Sequence, residues 1–138
     1  MVFTRTLSFH SEGDFYALNI TDDVRDVVAA SGLTEGSALV YYKHTTGAIL
    51  IVEHDVGILV DLQDVLEEII PLARDYKHHL RGYDLNGSAH VRTAMLNVSV
   101  TVPVAASDLM IGSYHELIML DFEPQARPRN VIVQVMGE

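Results

Sequence analysis

Residues 41–54 read Tyr-Tyr-Lys-His-Thr-Thr-Gly-Ala-Ile-Leu-Ile-Val-Glu-His. Leu39, Val40, Tyr41 and Tyr42 lead into the stretch, and Ile49, Leu50, Ile51 and Val52 lead out of it; these are the aliphatic, β-branched and aromatic types that fill a sheet core. Between them stand His44, Thr45 and Thr46. A buried hydroxyl or imidazole without a partner costs roughly 1–3 kcal/mol, so these groups are either satisfied inside the fold or put to use. Gly47 relaxes the middle of the run, which reads as one strand or as a pair of strands turned near that glycine.

The surrounding segments carry their own periodicities. Phe3, Arg5, Leu7 and Phe9 alternate with Thr4, Thr6 and Ser8, the pattern of a strand rather than a signal peptide. Phe15–Ile20 reads as its hairpin partner, with Gly13 in the turn. Residues 21–32 read as a helix: Thr21 as N-cap, Asp22 and Asp23 in the first turn, Val24, Val27 and Val28 on one face, Gly32 as the stop. Residues 55–73 carry helical spacing through Val56, Leu59, Val65, Leu66, Ile69 and Leu72, and Pro71 marks the end. Residues 74–90 lose periodicity and gather Gly82, Asp84, Asn86 and Gly87, which predicts a long loop. A short helix follows with Ser88 as N-cap, then residues 98–104, 108–112, 114–123 and 129–137 as strands of a β-meander. The expectation is a single α+β domain over residues 1–138, with about three helices and a mixed, mostly antiparallel sheet or sandwich.

Nineteen carboxylates against nine Lys and Arg leave a formal charge of −10, which argues against nucleic acid and anionic membranes as partners. The apolar runs are too short for a membrane span. Cytoplasmic residence is the default expectation. With no cysteine, His, Asp and Glu are the only metal ligands to consider. The phosphates of an anionic substrate would need a local Arg cluster, a helix N-terminus or a divalent cation to overcome such a field.

His44, one of His78 and His79, and His90 are the candidates for a shared site; neighbours on an extended backbone point to opposite faces, so one of the pair at most belongs to it. A turn near Gly47 would bring Glu53 back towards His44 as an orienting partner or an acid–base group. The plainer account makes Glu53 a solvated strand end, Asp55 a helix N-cap, and Thr45 and Thr46 hydrogen-bonders in a turn. Ser88 and His90 fall at a helix start, where free amides favour an anion, with Arg92 a turn further on. Asp84 and Asn86 could hold a metal or cap the loop, and Arg127 and Arg129 could grip phosphate oxygens.

Four segments, residues 43–54, 76–104, 109–123 and 127–138, together resemble the YjbQ-type family of secondary thiamine-phosphate synthases. The most specific parts are His-Thr-Thr at residues 44–46, Asn-Gly-Ser-Ala-His at 86–90, and the basic segment before the closing Val-Gln-Val-Met-Gly-Glu. The resemblance implies a homotrimer of small α+β domains. It implies a divalent metal, zinc or magnesium, on His44, His78 and His90, with Glu53, Thr45 and Thr46 beside it. It also implies a transferase that joins hydroxymethylpyrimidine diphosphate to a thiazole phosphate, with Asn86, Ser88, Arg127 and Arg129 on the phosphates. A binding protein for a small phosphorylated metabolite and a metal-dependent hydrolase are the alternatives. Where the family has Gly-Thr-Trp-Gln-Gly, this chain has Gly112-Ser113-Tyr114-His115-Glu116, a departure that bears on the substrate.

Overall fold

The computed structural model describes residues 1–138. The strands are β1 (Val2–Ser11), β2 (Tyr16–Asn19), β3 (Glu35–Tyr42), β4 (Gly47–Val52), β5 (Ser99–Ala105), β6 (Asp108–Leu109), β7 (Glu116–Asp121) and β8 (Arg127–Gly137), and the α-helices are α1 (Thr21–Ser31), α2 (Val56–Ile69) and α3 (Gly87–Met95). All pairings are antiparallel: one sheet runs β1-β8-β3-β5-β6 and the other β2-β7-β4.

The two sheets pack face to face. Ala38, Val40 and Tyr42 of β3, Val102 and Val104 of β5 and Val131, Val133 and Val135 of β8 point inward and meet Ile49, Leu117 and Met119 of the smaller sheet, with α1 closing the core through Val24, Val27 and Val28. The opposite face of the smaller sheet, through Ala48, Leu120 and the adjoining Phe122, is covered by Leu66 of α2, Ile70 and Ala89 of α3. A strand buried on both faces reads as a continuous apolar run, and Leu117–Leu120 is one.

Several expected pairings differ. Residues 15–20 do not form a hairpin with β1: Gly13, Asp14 and Phe15 have φ of 78°, 54° and 58°, and this left-handed stretch carries the chain to the other sheet, where β2 pairs with β7. The second half is not a meander, because β7 leaves the larger sheet and β8 returns between β1 and β3. Nor do β3 and β4 form a hairpin. Tyr42 pairs with Val131 in the larger sheet and Gly47 with Asp121 in the smaller, so Lys43–Thr46 is a bridge from one sheet to the other. It is anchored at both ends: Lys43 N–H donates to Asn130 O at 3.2 Å, and Thr46 O accepts from Phe122 N–H at 2.8 Å.

The helix ends also shift. Ile20 rather than Thr21 precedes α1, while Gly32, at φ 72°, ends it as expected. Asp55 caps α2, its carboxylate accepting from Ile58 N–H at 3.1 Å. On α2 the buried stripe is Leu62, Leu66 and the adjoining Ile70, while Val56, Val65, Ile69 and Leu72 stay exposed. Asn86, not Ser88, stands before α3. The expected long loop holds a short 3-10 helix, Lys77–Arg81, ended by Gly82 at φ 85°.

Candidate functional site

The bridge between the sheets lies at the open edge of the sandwich, facing the 3-10 helix and the start of α3. Between them is a cavity of about 400 Å³ with no hydrophobic residue in its lining. The bridge contributes Lys43, His44, Thr45 and Thr46. His78 and Arg81 come from the 3-10 helix, Asp84 and Asn86 from the turn after it and His90 from α3, while Glu123 follows β7 and Arg127 and Arg129 open β8.

Beneath the cavity is a buried ionic lattice. Arg129 Nε and Nη2 each donate to one oxygen of Asp121 at 3.0 Å, and Nη2 also reaches Thr46 Oγ1 at 3.0 Å. Asp121 further accepts from Ser11 Oγ and from Glu123 N–H. Both ionic side chains are almost wholly buried, so this bidentate pair, with its remaining lone pairs answered, is structural. Nε and Nη2 of Arg129 are therefore taken by Asp121 and Thr46, and of its three guanidinium nitrogens only Nη1 is left for the phosphate expected there. Arg127 is half-exposed, and its contact to Glu123 is a loose 3.5 Å. It is the one of the two arginines free to turn to a ligand.

His44 is positioned from the larger sheet. Asn130 N–H donates to His44 Nε2 at 2.9 Å, so the lone pair of that nitrogen is used and the neutral ring carries its proton on Nδ1. Burial first, then the neighbouring charge of Arg129, lowers the His44 pKa from its ordinary value, which keeps the ring in that neutral form. Burial, with His78 next, also lowers the His90 pKa, against a smaller opposing effect of Glu123 and the Thr45 backbone. The His78 and His90 rings stand 4.6 Å apart, and His78 Nε2 is buried without a partner. His79 turns away, its Nε2 accepting from Gly87 N–H at 2.9 Å.

The metal expected on His44, His78 and His90 does not fit this arrangement. His44 Nε2 is occupied by Asn130, and no three His, Asp or Glu side chains stand together as a ligand group. What His44 offers the cavity is a donor, Nδ1–H.

Glu53 lies outside the site. Val52, its neighbour, pairs with Glu116 at the far end of β4 from Gly47, roughly 17–20 Å away for a strand of this length. Ser88 is buried in the first turn of α3 and does not line the cavity. Arg92 is likewise structural, donating to Ile70 O at 2.8 and 3.1 Å and to Glu67. Asn86 does line the cavity and donates to Glu123 at 3.2 Å. The sequence reading passed over Lys43, Arg81 and Glu123. Lys43 and Arg81 each directly adjoin or follow a motif histidine by a few positions, the one signal that could have found them.

A family model for UPF0047 protein YjbQ-like matches residues 5–138. The chain is 35% identical to a UPF0047 protein of Archaeoglobus fulgidus, over 86% of this chain and 90% of that one. A UPF0047 protein of Synechocystis is 30% identical, with 87% and 82% covered. Among solved structures, a YbjQ-like protein of unknown function from Sulfolobus solfataricus superposes with a TM-score of 0.93 at 27% identity, covering 100% of this chain and 99% of that one. A YjbQ/UPF0047 protein of Clostridium acetobutylicum gives 0.86 at 28%, covering 96% and 99%. With a family match from residue 5 to the last residue and the same fold throughout, the chain belongs to the YjbQ-like UPF0047 family.

Proposed function

We propose that the cavity binds the phosphate groups of a small metabolite and that the chain is a transferase of the thiamine-phosphate-synthase type. One observation carries the reading: Lys43, Arg81, Arg127 and Arg129, four of the nine positive side chains in a protein of charge −10, converge on one cavity. A solvated surface has no reason to gather them there. The lattice under Arg129 fixes the floor, which leaves Arg127, Lys43, Arg81 and His44 Nδ1–H as the groups able to turn to phosphate oxygens, with Arg129 Nη1 held in place beneath them.

In the reaction, the thiazole nitrogen's lone pair forms a bond to the pyrimidine's exocyclic carbon. The bond from that carbon to oxygen breaks, and its electron pair leaves with diphosphate. Charge grows on the departing oxygens, and fixed donors aimed at it lower the barrier because they need no reorganisation when it forms. His44, kept neutral with Nδ1 protonated, serves here as such a donor.

The test is direct. Purified protein given both substrates in magnesium-containing buffer is expected to release thiamine phosphate and diphosphate in equal amounts, and the Arg127→Ala protein to lose most of that rate. Product no greater than with Arg127→Ala overturns the transferase reading. Thermal stabilisation by diphosphate in that case would leave a phosphate-binding protein. The homotrimer that the resemblance implies belongs to the same reading, and sedimentation velocity at micromolar concentration tests it.

A further inference from the structure

A second cavity, also of about 400 Å³, adjoins the first and shares His78 and His90 with it. Its character is the reverse, because the wall is carbon almost throughout. Tyr76, 8% exposed, and Val91 of α3 supply its apolar surface, with Arg74, Asp75 and Lys77 beside them. Gly87 keeps the wall close: a Cβ there would stand 2.6 Å from Tyr76 Cβ and 2.9 Å from His79 Nε2. Tyr76 is itself fixed, its hydroxyl donating to Pro71 O and its ring set edge-on to His79 at 5.4 Å.

We infer that this cavity is the seat for the organic half of the ligand, a planar ring carried on a phosphate ester whose phosphate lies in the cationic cavity. The inference rests on the phosphate-binding reading. Three observations support it. The cavities share the His78–His90 pair, so one molecule can span both. The annex offers carbon to a ligand that has already given its charge to Lys43, Arg81 and Arg127, and apolar walls with few polar groups are how sites hold the uncharged part of a small molecule. His78 Nε2, buried without a partner, belongs to a side chain that lines both cavities. An orphaned polar atom in such a place calls for an answering group, and a polar ring-edge atom would supply one.

A third, more open groove also borders the cationic cavity, through His44, Thr45, His90, Ala94 and Leu96, and it is the competing seat. Isothermal titration with two probes, methyl phosphate and phenyl phosphate, separates the cases. The native protein is expected to bind phenyl phosphate about tenfold more tightly, as burial of a ring's carbon surface predicts. Val91→Trp, at a position 40% exposed, should fill the annex and abolish the preference while leaving methyl phosphate affinity unchanged. Val91→Asn, which adds polarity instead of bulk and brings no charge near the phosphate, should do the same. Ala94→Trp, on the other groove, should leave the preference intact.

Equal affinity for the two probes in the native protein overturns the inference and spares the phosphate site. A preference that survives both Val91 variants, or is lost in Ala94→Trp alone, moves the ring to the other groove and also overturns it. Failure of methyl phosphate, phenyl phosphate and inorganic diphosphate to bind at all overturns the phosphate-binding reading and this inference together.

Discussion

Arg127 and Arg129 are two positions apart, carry the same charge, and do different work. Arg129 is locked bidentately to a fully buried carboxylate, whereas Arg127 is half-exposed and loosely paired. Arg129→Ala would strand Asp121 in the interior, a loss of about 3–5 kcal/mol. Thermal unfolding should move down by roughly 10 °C or more for a chain of this size. Arg129→Lys should not restore it, since a single ammonium does not span both oxygens. Arg127→Ala should leave the unfolding temperature within about 2 °C of native and weaken diphosphate binding about tenfold or more, the worth of one charge-assisted hydrogen bond. Calorimetry on the three variants checks the division, and a stable Arg129→Ala protein would refute it.

His44 adds a pH dependence with a definite sign. Its folded-state pKa lies below the ordinary value, so the unfolded chain takes up a proton there more readily than the folded one. Stability is then fully present above the ordinary value near 6.5 and falls as pH drops from there towards the folded value. His90 is shifted in the same direction and adds to it. Urea midpoints measured from pH 8 to pH 5 should decline below about 6.5, and His44→Gln, which can still accept from Asn130 N–H, should flatten part of that decline. An identical slope in the variant would show that His44 is not the group responsible.

At the scale of elements, the bridge explains why polar residues interrupt an apolar run. Lys43–Thr46 leaves one sheet and enters the other, so its side chains face the gap at the sandwich's edge, and Gly47 must follow because Tyr42 folds back against it. A Cβ on Gly47 would meet Tyr42 Cε1 at 2.3 Å and Leu120 O at 2.6 Å. Gly47→Ala should therefore destabilise by about 1–3 kcal/mol through overpacking, and should also loosen the cavity's floor, seen as weaker diphosphate binding. Removing the cap of α2 by Asp55→Ala should cost about 1 kcal/mol and leave binding untouched, because α2 does not reach the cavity. Denaturant titration of the two variants compares them.

The same element shows what a sequence can reveal. Period-two alternation marks β8 plainly, with Val131, Val133 and Val135 buried and Ile132, Gln134 and Met136 between them. Alternation identifies a face but not a partner, so the strands were legible and their pairing was not. The choice between a hairpin and a crossover at residues 43–46 rested on Tyr42 and Gly47 finding partners some 90 and 75 positions away, Val131 and Asp121. Glu53 was drawn into the site by the assumed hairpin and left it when the hairpin failed. The left-handed run through Asp14 and Phe15 was hidden for a different reason: Phe is a poor residue for that conformation, and it is held there by packing on Phe122 at 6.0 Å and by Asp14 N–H donating to Glu123 O at 2.7 Å.

At the scale of the whole molecule, two fields of opposite sign act on an approaching anion. The protein carries −10 overall, while at the cavity, with Arg129 neutralised by Asp121 beneath it, Lys43, Arg81 and Arg127 stand against Asp84 and Glu123, a local balance of +1. The ranges differ. A domain of 138 residues has a radius of gyration of about 14 Å, and the screening length shrinks from about 30 Å at 0.01 M salt to about 8 Å at 0.15 M. In dilute salt the anion therefore feels the whole protein and is repelled; at physiological salt it feels mainly the nearest residues. Association of a small phosphate ester should accordingly become faster between 0.01 and 0.15 M salt, the reverse of the slowing seen where overall charge steers a ligand inward. Stopped-flow mixing with a fluorescent aryl phosphate, with ionic strength set by a weakly competing salt, measures the rate directly. Arg127→Ala removes one local positive charge and should lower the rate at both salt concentrations, and more at 0.01 M, where that charge is screened least. A rate that falls steadily with salt would mean that the cavity's field already outreaches the protein's net charge, and that the gathered cations serve to draw ligand in as well as to hold it.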